Sequence, residues 1–298
     1  MSPPIEVYFG DNLAILQAMP AESVDLIYID PPFNTGKAQS RTRLRTIRDE
    51  AGGDRVGFGG HRYRTIKIGS QSFADAFDDY LAFLEPRLRE GYRVLRPEGS
   101  FFFHNDYREI HYCKVLLDQI FGRASFMNEI IWAYDYGARS RRRWPAKHDT
   151  ILWYAKNPKK YHFDLEACDR IPYMAPDLVG AAKAARGKTP TDTWWHTIVS
   201  PCGQEKTGYP TQKPLGILSR IVLVHSRPGD LLLDFFAGSG SFGEAAARLG
   251  RRALLIDNNP TALGVMQWRL APYGVVWHGW PPPPGREAGR PAPAGGPG

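Results

Sequence analysis

Asp30-Pro31-Pro32-Phe33 carries more chemical meaning than any other short stretch of the chain. It closes an apolar run, Asp25-Leu26-Ile27-Tyr28-Ile29, that reads as a buried strand. Neither proline has an N–H to donate, so neither can continue a sheet ladder. The chain must leave the sheet abruptly, fixing a carboxylate, a backbone carbonyl and an aromatic ring at the strand's C-terminal edge. In open α/β sheets ligands bind at that edge. These groups suit a flat heterocycle bearing an exocyclic amine. A tetrapeptide alone is weak, because a strand-ending Pro-Pro turn with a solvated Asp has the same letters.

A second motif strengthens it. Leu231-Leu232-Leu233-Asp234 is another apolar strand, and it runs into the small-residue turn Phe236-Ala237-Gly238-Ser239-Gly240. Glycine lets backbone approach a ligand closely and supplies unusual φ/ψ values. Ser241 to Leu249 then has helical spacing, and Ala253-Leu254-Leu255-Ile256-Asp257 is a further strand ending in an acid. An acid at the end of the second strand is the expected partner of ribose hydroxyls in nucleotide-type folds.

In order and spacing these segments resemble the β class of S-adenosylmethionine-dependent DNA amino-methyltransferases, acting on adenine N6 or cytosine N4. That family places a D/N/S-P-P-Y/F motif before an F-x-G-x-G motif. Tyr209-Pro210-Thr211-Gln212-Lys213-Pro214 resembles its T-x-K-P segment, and Gly10-Asp11-Asn12-Leu13 its G-D-x-L segment. The match runs from residue 10 to residue 257. It implies a Rossmann-like methyltransferase fold: a mixed, mostly parallel seven-stranded sheet with helices on both faces, plus an inserted target-recognition region.

The resemblance also assigns roles. Asp30, Pro31, Pro32 and Phe33 are catalytic, and Asp30 also borders the cofactor. Asp257, with Asn258 beside it, meets the ribose. Phe236, Ala237, Gly238, Ser239 and Gly240 form the turn. Asp234 lies near the methionine amine, Thr211 and Lys213 bind the methionine end, and Asp11 and Asn12 lie near the adenine ring. The plain alternative for Asp11 is a helix N-cap, and for Lys213 a surface residue at a helix start.

The implied chemistry starts from a weak nucleophile, an exocyclic amine conjugated into its ring. Asp30 accepts one amine hydrogen and the Pro31 carbonyl the other, which favours a pyramidal nitrogen with an exposed lone pair. That is positioning plus electrostatics. Phe33 stacks on the base. The amine lies inside a duplex, so the base must be flipped out at a cost of a few kcal/mol. Asp at the first motif position, with Asn34-Thr35-Gly36 after it, is tied by the resemblance to adenine N6; cytosine N4 is the runner-up.

Composition narrows the partners. The 298 residues carry Lys+Arg 38 against Asp+Glu 31, a formal charge of +7, which favours an anionic partner such as nucleic acid. Cys113, Cys168 and Cys202 have neither zinc spacing nor disulfide-scaffold density. This predicts a reducing cytoplasm, no metal and, with no signal segment and no spanning apolar run, no membrane. The resemblance implies double-stranded DNA as partner, a prokaryotic, nucleoid-associated setting, and allows a homodimer and a cognate restriction endonuclease.

Along the chain, residues 1–127 read as the catalytic half, 128–208 as the target-recognition region, 209–280 as the cofactor half, and 281–298 as a disordered Pro/Gly/Ala tail. Helices are expected over Asp11–Met19, Tyr80–Leu95 and Tyr107–Phe121, and strands over Ile5–Phe9, Ser100–His104 and Thr150–Ala155. Residues 36–72 lack periodicity and carry Arg41, Arg43 and Arg45, which predicts a mobile basic loop that closes over DNA. Arg139, Arg141, Arg142 and Arg143, ending in Trp144, predict a second DNA contact. Trp194-Trp195 predicts core packing for at least one ring, the other free to stack on bases.

Three other readings rank lower. Pro201-Cys202 resembles the Pro-Cys nucleophile of cytosine-C5 methyltransferases, but it precedes the glycine turn, where that family has it after. A dinucleotide dehydrogenase needs the full G-x-G-x-x-G/A spacing, which is absent. A non-catalytic DNA-binding module would not need both the acid and the glycines.

Overall fold

The computed structural model describes residues 4–34, 39–49, 52, 55, 56, 62–73, 77, 79–135, 139–200, 203 and 205–280. The tail at 281–298, Thr35, Gly36 and Pro201-Cys202 lie outside them.

The chain opens with β1 (Ile5–Phe9), α1 (Asn12–Ala18) and β2 (Val24–Ile29). A hairpin follows, with β3 (Gln39–Arg48), the short β4 (Arg55–Val56) and β5 (Arg62–Phe73). Next come α2 (Tyr80–Val94), β6 (Leu95–Asn105), α3 (Ile110–Phe121), β7 (Phe126–Ala133) and β8 (His148–Ala155). The C-terminal part holds α4 (Ala181–Arg186), β9 (Thr193–Trp195), α5 (Leu215–His225), β10 (Leu231–Asp234), α6 (Ser241–Arg248), β11 (Arg252–Asp257), α7 (Pro260–Arg269) and β12 (Val275–His278).

The main sheet has nine strands in the order β12-β1-β11-β10-β2-β6-β8-β7-β9. That is two strands more than the seven expected. Every neighbouring pair is parallel except the two that β8 makes with β6 and β7. The sheet runs without a break through the stretches 1–127, 128–208 and 209–280 expected from the sequence.

Strands buried on both faces need apolar residues in succession, and β2 shows how both sides are used. Leu26 and Tyr28 join the cluster beneath α5, α6 and α7, whereas Ile27 and Ile29 join the one beneath α1, α2 and α3. The crossovers leaving β2 and β10 therefore diverge: α2 carries the chain to β6, and α6 carries it to β11 on the opposite face. β2 and β10 lie side by side. Their C-terminal ends thus form a topological switch point, where open α/β sheets leave a crevice.

The described residues between 39 and 73 include strands β3, β4 and β5, where an irregular loop was expected. β3 and β5 pair antiparallel from Gln39–Phe73 to Arg48–Tyr63, with a register shift after Arg43, and β4 pairs with β5 to make a separate three-stranded sheet. The alternation is present in Arg41-Thr42-Arg43-Leu44-Arg45-Thr46 and in Arg64-Thr65-Ile66-Lys67-Ile68. In β3 arginine, not an apolar residue, holds one phase, whereas in β5 Ile66 and Ile68 alternate with Thr65 and Lys67 over too short a stretch to stand out.

Candidate active site

The ends of β1, β2, β10 and β11, the stretch before α5, and Phe83 and Arg87 of α2 converge on the C-terminal edge of the parallel strands. They enclose a cavity of about 370 Å³, a size suited to a small organic ligand. Asp11, Asn12, Asp30, Pro31, Pro32, Phe33, Thr211, Lys213, Asp234, Phe236, Ala237, Gly238, Ser239, Asp257 and Asn258 all line it. Gly240 does not. It starts α6 at φ +73°, and a Cβ there would come within 2.7 Å of Met266 Cγ, so packing against α7 explains that glycine.

The Asp-Pro-Pro-Phe corner is held rigidly. Tyr80 Oη donates to the Pro32 carbonyl at 2.6 Å and itself accepts from Asn105 Nδ2 at 2.8 Å. Asn34 sits at φ +50°, a strained value for a residue with a side chain. Its side chain donates to Glu109 Oε1 at 2.8 Å and accepts from the Phe77 amide at 3.1 Å.

Asp30 has two different faces. Its Oδ2 pairs with Lys213 Nζ, an ion pair that is largely buried. Lys213 Nζ also donates to the Thr211 carbonyl at 3.3 Å and lies 4.8 Å from the centre of the Phe33 ring. Lys213, expected at the methionine end, lines the cavity and in addition pairs with Asp30. Thr211 sits at φ +61°, so the turn that delivers Lys213 is strained too. Oδ1 of Asp30 points inward, lacks a hydrogen-bond partner, and lies 3.8 Å from His104 Nδ1.

At the glycine turn Asp257 braces backbone with both oxygens. Oδ2 accepts from the Gly238 amide and Oδ1 from the Asn259 amide, each at 2.8 Å. Burial pushes Asp257 up from 3.8 to about 6, against the backbone amides that lower it. Asp234 is raised well above the usual carboxylate range by burial, with Asp30 and Asp257 adding repulsion against the Phe236 amide and Lys213. Two buried carboxyls with little to neutralise them are ready to receive hydroxyl and ammonium donors. Gly238 is at φ +51°, and a Cβ there would stand 3.3 Å from the Tyr209 ring, so backbone alone fits that wall.

Asp11 is both an N-cap and a cavity residue. It caps α1 by accepting from the Leu13 amide at 3.4 Å, and it pairs with Arg87 at 3.0 Å. Arg87 also donates to Asn12 Oδ1 at 2.7 Å, while Asn12 Nδ2 donates to the Phe235 carbonyl at 2.7 Å. Arg87 was not anticipated, because it reads as an ordinary charged position on α2.

A second cavity of about 470 Å³ adjoins the first. Phe33, Tyr209, Thr211 and Lys213 line both, so they form the partition. Beyond it lie Trp132, Tyr134, Asp149, Asp106 and Arg108. The β7–β8 connection leaves on this same edge. Its arginines 139, 141, 142 and 143 are exposed, and Trp144 is 95 % exposed. Of the tryptophan pair, Trp194 is buried, with its Nε1 donating to the Thr191 carbonyl at 3.0 Å and Arg220 4.7 Å over its ring, whereas Trp195 is exposed. Arg41, Arg43 and Arg45 lie on β3.

Residues 24–267 match the family model of the N6/N4 DNA methylases. The type II methyltransferase M.HpaI of Haemophilus parainfluenzae is 30% identical over 261 residues, covering 88% of this chain and 72% of that one. The DNA adenine methyltransferase YhdJ of Escherichia coli strain K12 is 29% identical over 266 residues, 85% of this chain and 78% of that one. Among solved structures, the cytosine-N4-specific PvuII DNA methyltransferase superposes with a TM-score of 0.60 at 18% identity, over 90% of this chain and 88% of that one. At that identity the likeness speaks for the fold.

Proposed function

This chain belongs to the N6/N4 DNA methylase family, and from that premise we propose which base it modifies and how its residues do so. It is a DNA methyltransferase that uses S-adenosylmethionine, and the proposed acceptor is N6 of adenine in duplex DNA. The observation that carries the reading is that Asp30 and Gly238, 208 positions apart in the sequence, line one cavity together with Asp257.

The cavity fits the cofactor chemically. Asp257 suits ribose hydroxyls, Asp234 suits an ammonium, and the bare backbone at Gly238 leaves room that a side chain would fill. Bound there, S-adenosylmethionine supplies an electrophilic methyl on a sulfonium. On the chain's side, Asp30 Oδ2 accepts an amine hydrogen while keeping Lys213 on its other lone pair. Lys213 thereby fixes the orientation of the carboxylate. The Pro31 carbonyl accepts the second hydrogen, and the hold of Tyr80 on the next carbonyl fixes its direction. The second cavity, walled by Phe33, Trp132 and Tyr134, receives the flipped base.

Adenine is favoured by Asp at the first position and Asn34 after it, and a relative at 29% identity is named for adenine. Arg139 to Arg143 and the β3–β5 hairpin supply phosphate contacts. The reading extends to a homodimer and a cognate endonuclease, which sedimentation and co-purification test. The deciding experiment is transfer of labelled methyl from S-adenosylmethionine to duplex DNA, then digestion to nucleosides and mass separation. N6-methyladenine is expected, and Asp30→Ala abolishes it. N4-methylcytosine alone would reverse the choice of base, and full activity of Asp30→Ala would end the mechanism.

A further inference from the structure

His104, at the end of β6, is completely buried between two carboxylates. Its Nδ1 is 2.7 Å from Tyr28 Oη and 3.8 Å from Asp30 Oδ1. Its Nε2 is 3.4 Å from Asp149 Oδ2, at the outer edge of a hydrogen bond, and has no well-aligned partner. Burial and the charges of Asp30, Asp234 and Asp149 push Tyr28 well up, so its hydroxyl keeps its proton. Burial raises Asp149 as well, but contact with His104, the charge of Lys213 and the Tyr134 hydroxyl outweigh it and hold the carboxyl below its ordinary value. Apolar Trp132 covers the ring edge-on at 5.7 Å, and Phe33 lies at 5.9 Å.

Charge counting explains why an imidazole stands here. Asp30 and Asp149 carry two negative charges, and Lys213 supplies one positive. The cluster has room for one more proton, and His104 is the group in contact with both acids. The methyl-transfer reaction proposed above makes one surplus proton at this spot. As the nitrogen lone pair forms the new C–N bond, the S–C bond electrons return to sulfur and the amine becomes cationic. An N–H bond must then break, its electrons staying on nitrogen. Asp30 takes the proton first but borders both a cationic lysine and a site that must be an acceptor again.

We propose that His104 is the proton store of this reaction. It takes through Asp30 the proton lost by the methylated amine and holds it as an imidazolium between Asp30 and Asp149 until product leaves. The protonated carboxyl of Asp30 turns about its Cβ–Cγ bond to carry the O–H formed at Oδ2 into the place of Oδ1 beside Nδ1. The O–H bond then breaks, its electrons restoring the carboxylate, as Nδ1 takes the proton and Tyr28 Oη turns from donor to acceptor. When the base withdraws, the same nitrogen returns the proton to entering solvent. No atom of His104 touches the amine, so it is a positioning and relay residue. Asp149, on the wall of the second cavity, stabilises the charged ring.

The inference rests on the methyltransferase reading, and its test separates the two. Single-turnover methyl transfer to duplex DNA is followed beside proton release to a pH-indicating dye in weak buffer, for the wild type, His104→Gln and Asp149→Asn. In the wild type, proton release lags methyl transfer and follows product departure. In both variants the lag disappears. His104→Gln loses on the order of tenfold to a hundredfold in rate near neutrality, with the deficit shrinking towards alkaline pH as hydroxide removes the proton. Cofactor affinity by calorimetry stays within about twofold, which shows that the fold survives. Simultaneous methyl transfer and proton release in the wild type, or a loss that is the same at every pH, overturns the proton store. A wild type that methylates no DNA overturns the underlying reading instead.

Discussion

At the scale of single residues, the site is a set of carboxyls that burial sets apart. Asp30 is paired with Lys213, whereas burial raises Asp257 and Asp234, neither of which has a cation of its own. Asp257 carries a sign that can be checked. Its pKa in the folded chain, about 6, lies above its ordinary 3.8. The folded state therefore binds the proton more tightly, and ionising Asp257 costs stability as pH rises from about 4 through 6. The cost is fully present above that window and is of order 2–3 kcal/mol. Asp257→Asn is therefore expected to raise the melting temperature of the cofactor-free protein at pH 8 and to leave it nearly unchanged at pH 4. The same variant loses its acceptor for the ribose and weakens cofactor binding on the order of a hundredfold, about 2–3 kcal/mol at the hydrogen bonds to charge. In the wild type, cofactor affinity by calorimetry should fall about tenfold per pH unit below about 6, where Asp257 takes up its proton.

At the scale of elements, strand ends and turns are where function was placed. The Phe236–Gly240 turn has two glycines with different jobs: Gly238 keeps the cavity wall bare, and Gly240 clears Met266 on α7. Gly240→Ala would meet both a positive φ and a close approach, so it should destabilise the chain by about 1–3 kcal/mol. Chemical denaturation measures that, and cofactor affinity per folded molecule should be little changed. Gly238→Ala, also at a positive φ, should carry a similar backbone strain and in addition weaken cofactor affinity per folded molecule. The β7–β8 loop carries its charge on the outside, on the same edge as both cavities. Replacing Arg139, Arg141, Arg142 and Arg143 with glutamine should make DNA affinity less salt-dependent. The slope of log K against log salt falls by about 0.9 for each phosphate that is no longer neutralised. An unchanged slope would move the DNA surface elsewhere, the β3–β5 hairpin being the next place to look.

At the scale of the whole molecule, the sheet order makes the site and also sets the acid response. His225 is buried on α5, between Phe102, Trp153 and Phe163. Burial drives it from 6.5 down to about 3, with His162 adding repulsion. The unfolded chain takes up a proton there that the folded chain refuses, so stability is lost as pH falls from about 6.5, at about 1.4 kcal/mol per unit. Asp257 pulls the other way over roughly the same window, and the two slopes largely cancel between about pH 4 and 6. His225→Phe should unmask the Asp257 gain, and Asp257→Asn the His225 loss. Denaturation midpoints measured at pH 4, 5 and 6 read both.

What the sequence alone determined is what short segments write by themselves: the strand that stops at Asp30, the glycine turn after Asp234, the acid at Asp257, the order of the motifs, and the charge that points to DNA. These depend on proline lacking an N–H, on glycine's φ, and on apolar runs, all local. The antiparallel pairing of β3 with β5 was locally written too, but β3 is written in arginine and threonine, a strand phase without hydrophobic contrast. Tertiary structure decided who meets whom. Lys213 reaches Asp30 across 183 positions, Arg87 reaches Asp11 across 76, and His104 stands between Asp30 and Asp149 because β2, β6 and β8 are neighbours in the sheet. No local pattern encodes such meetings, because they are set by strand order, which arises only when two sets of helices bury opposite faces of one sheet.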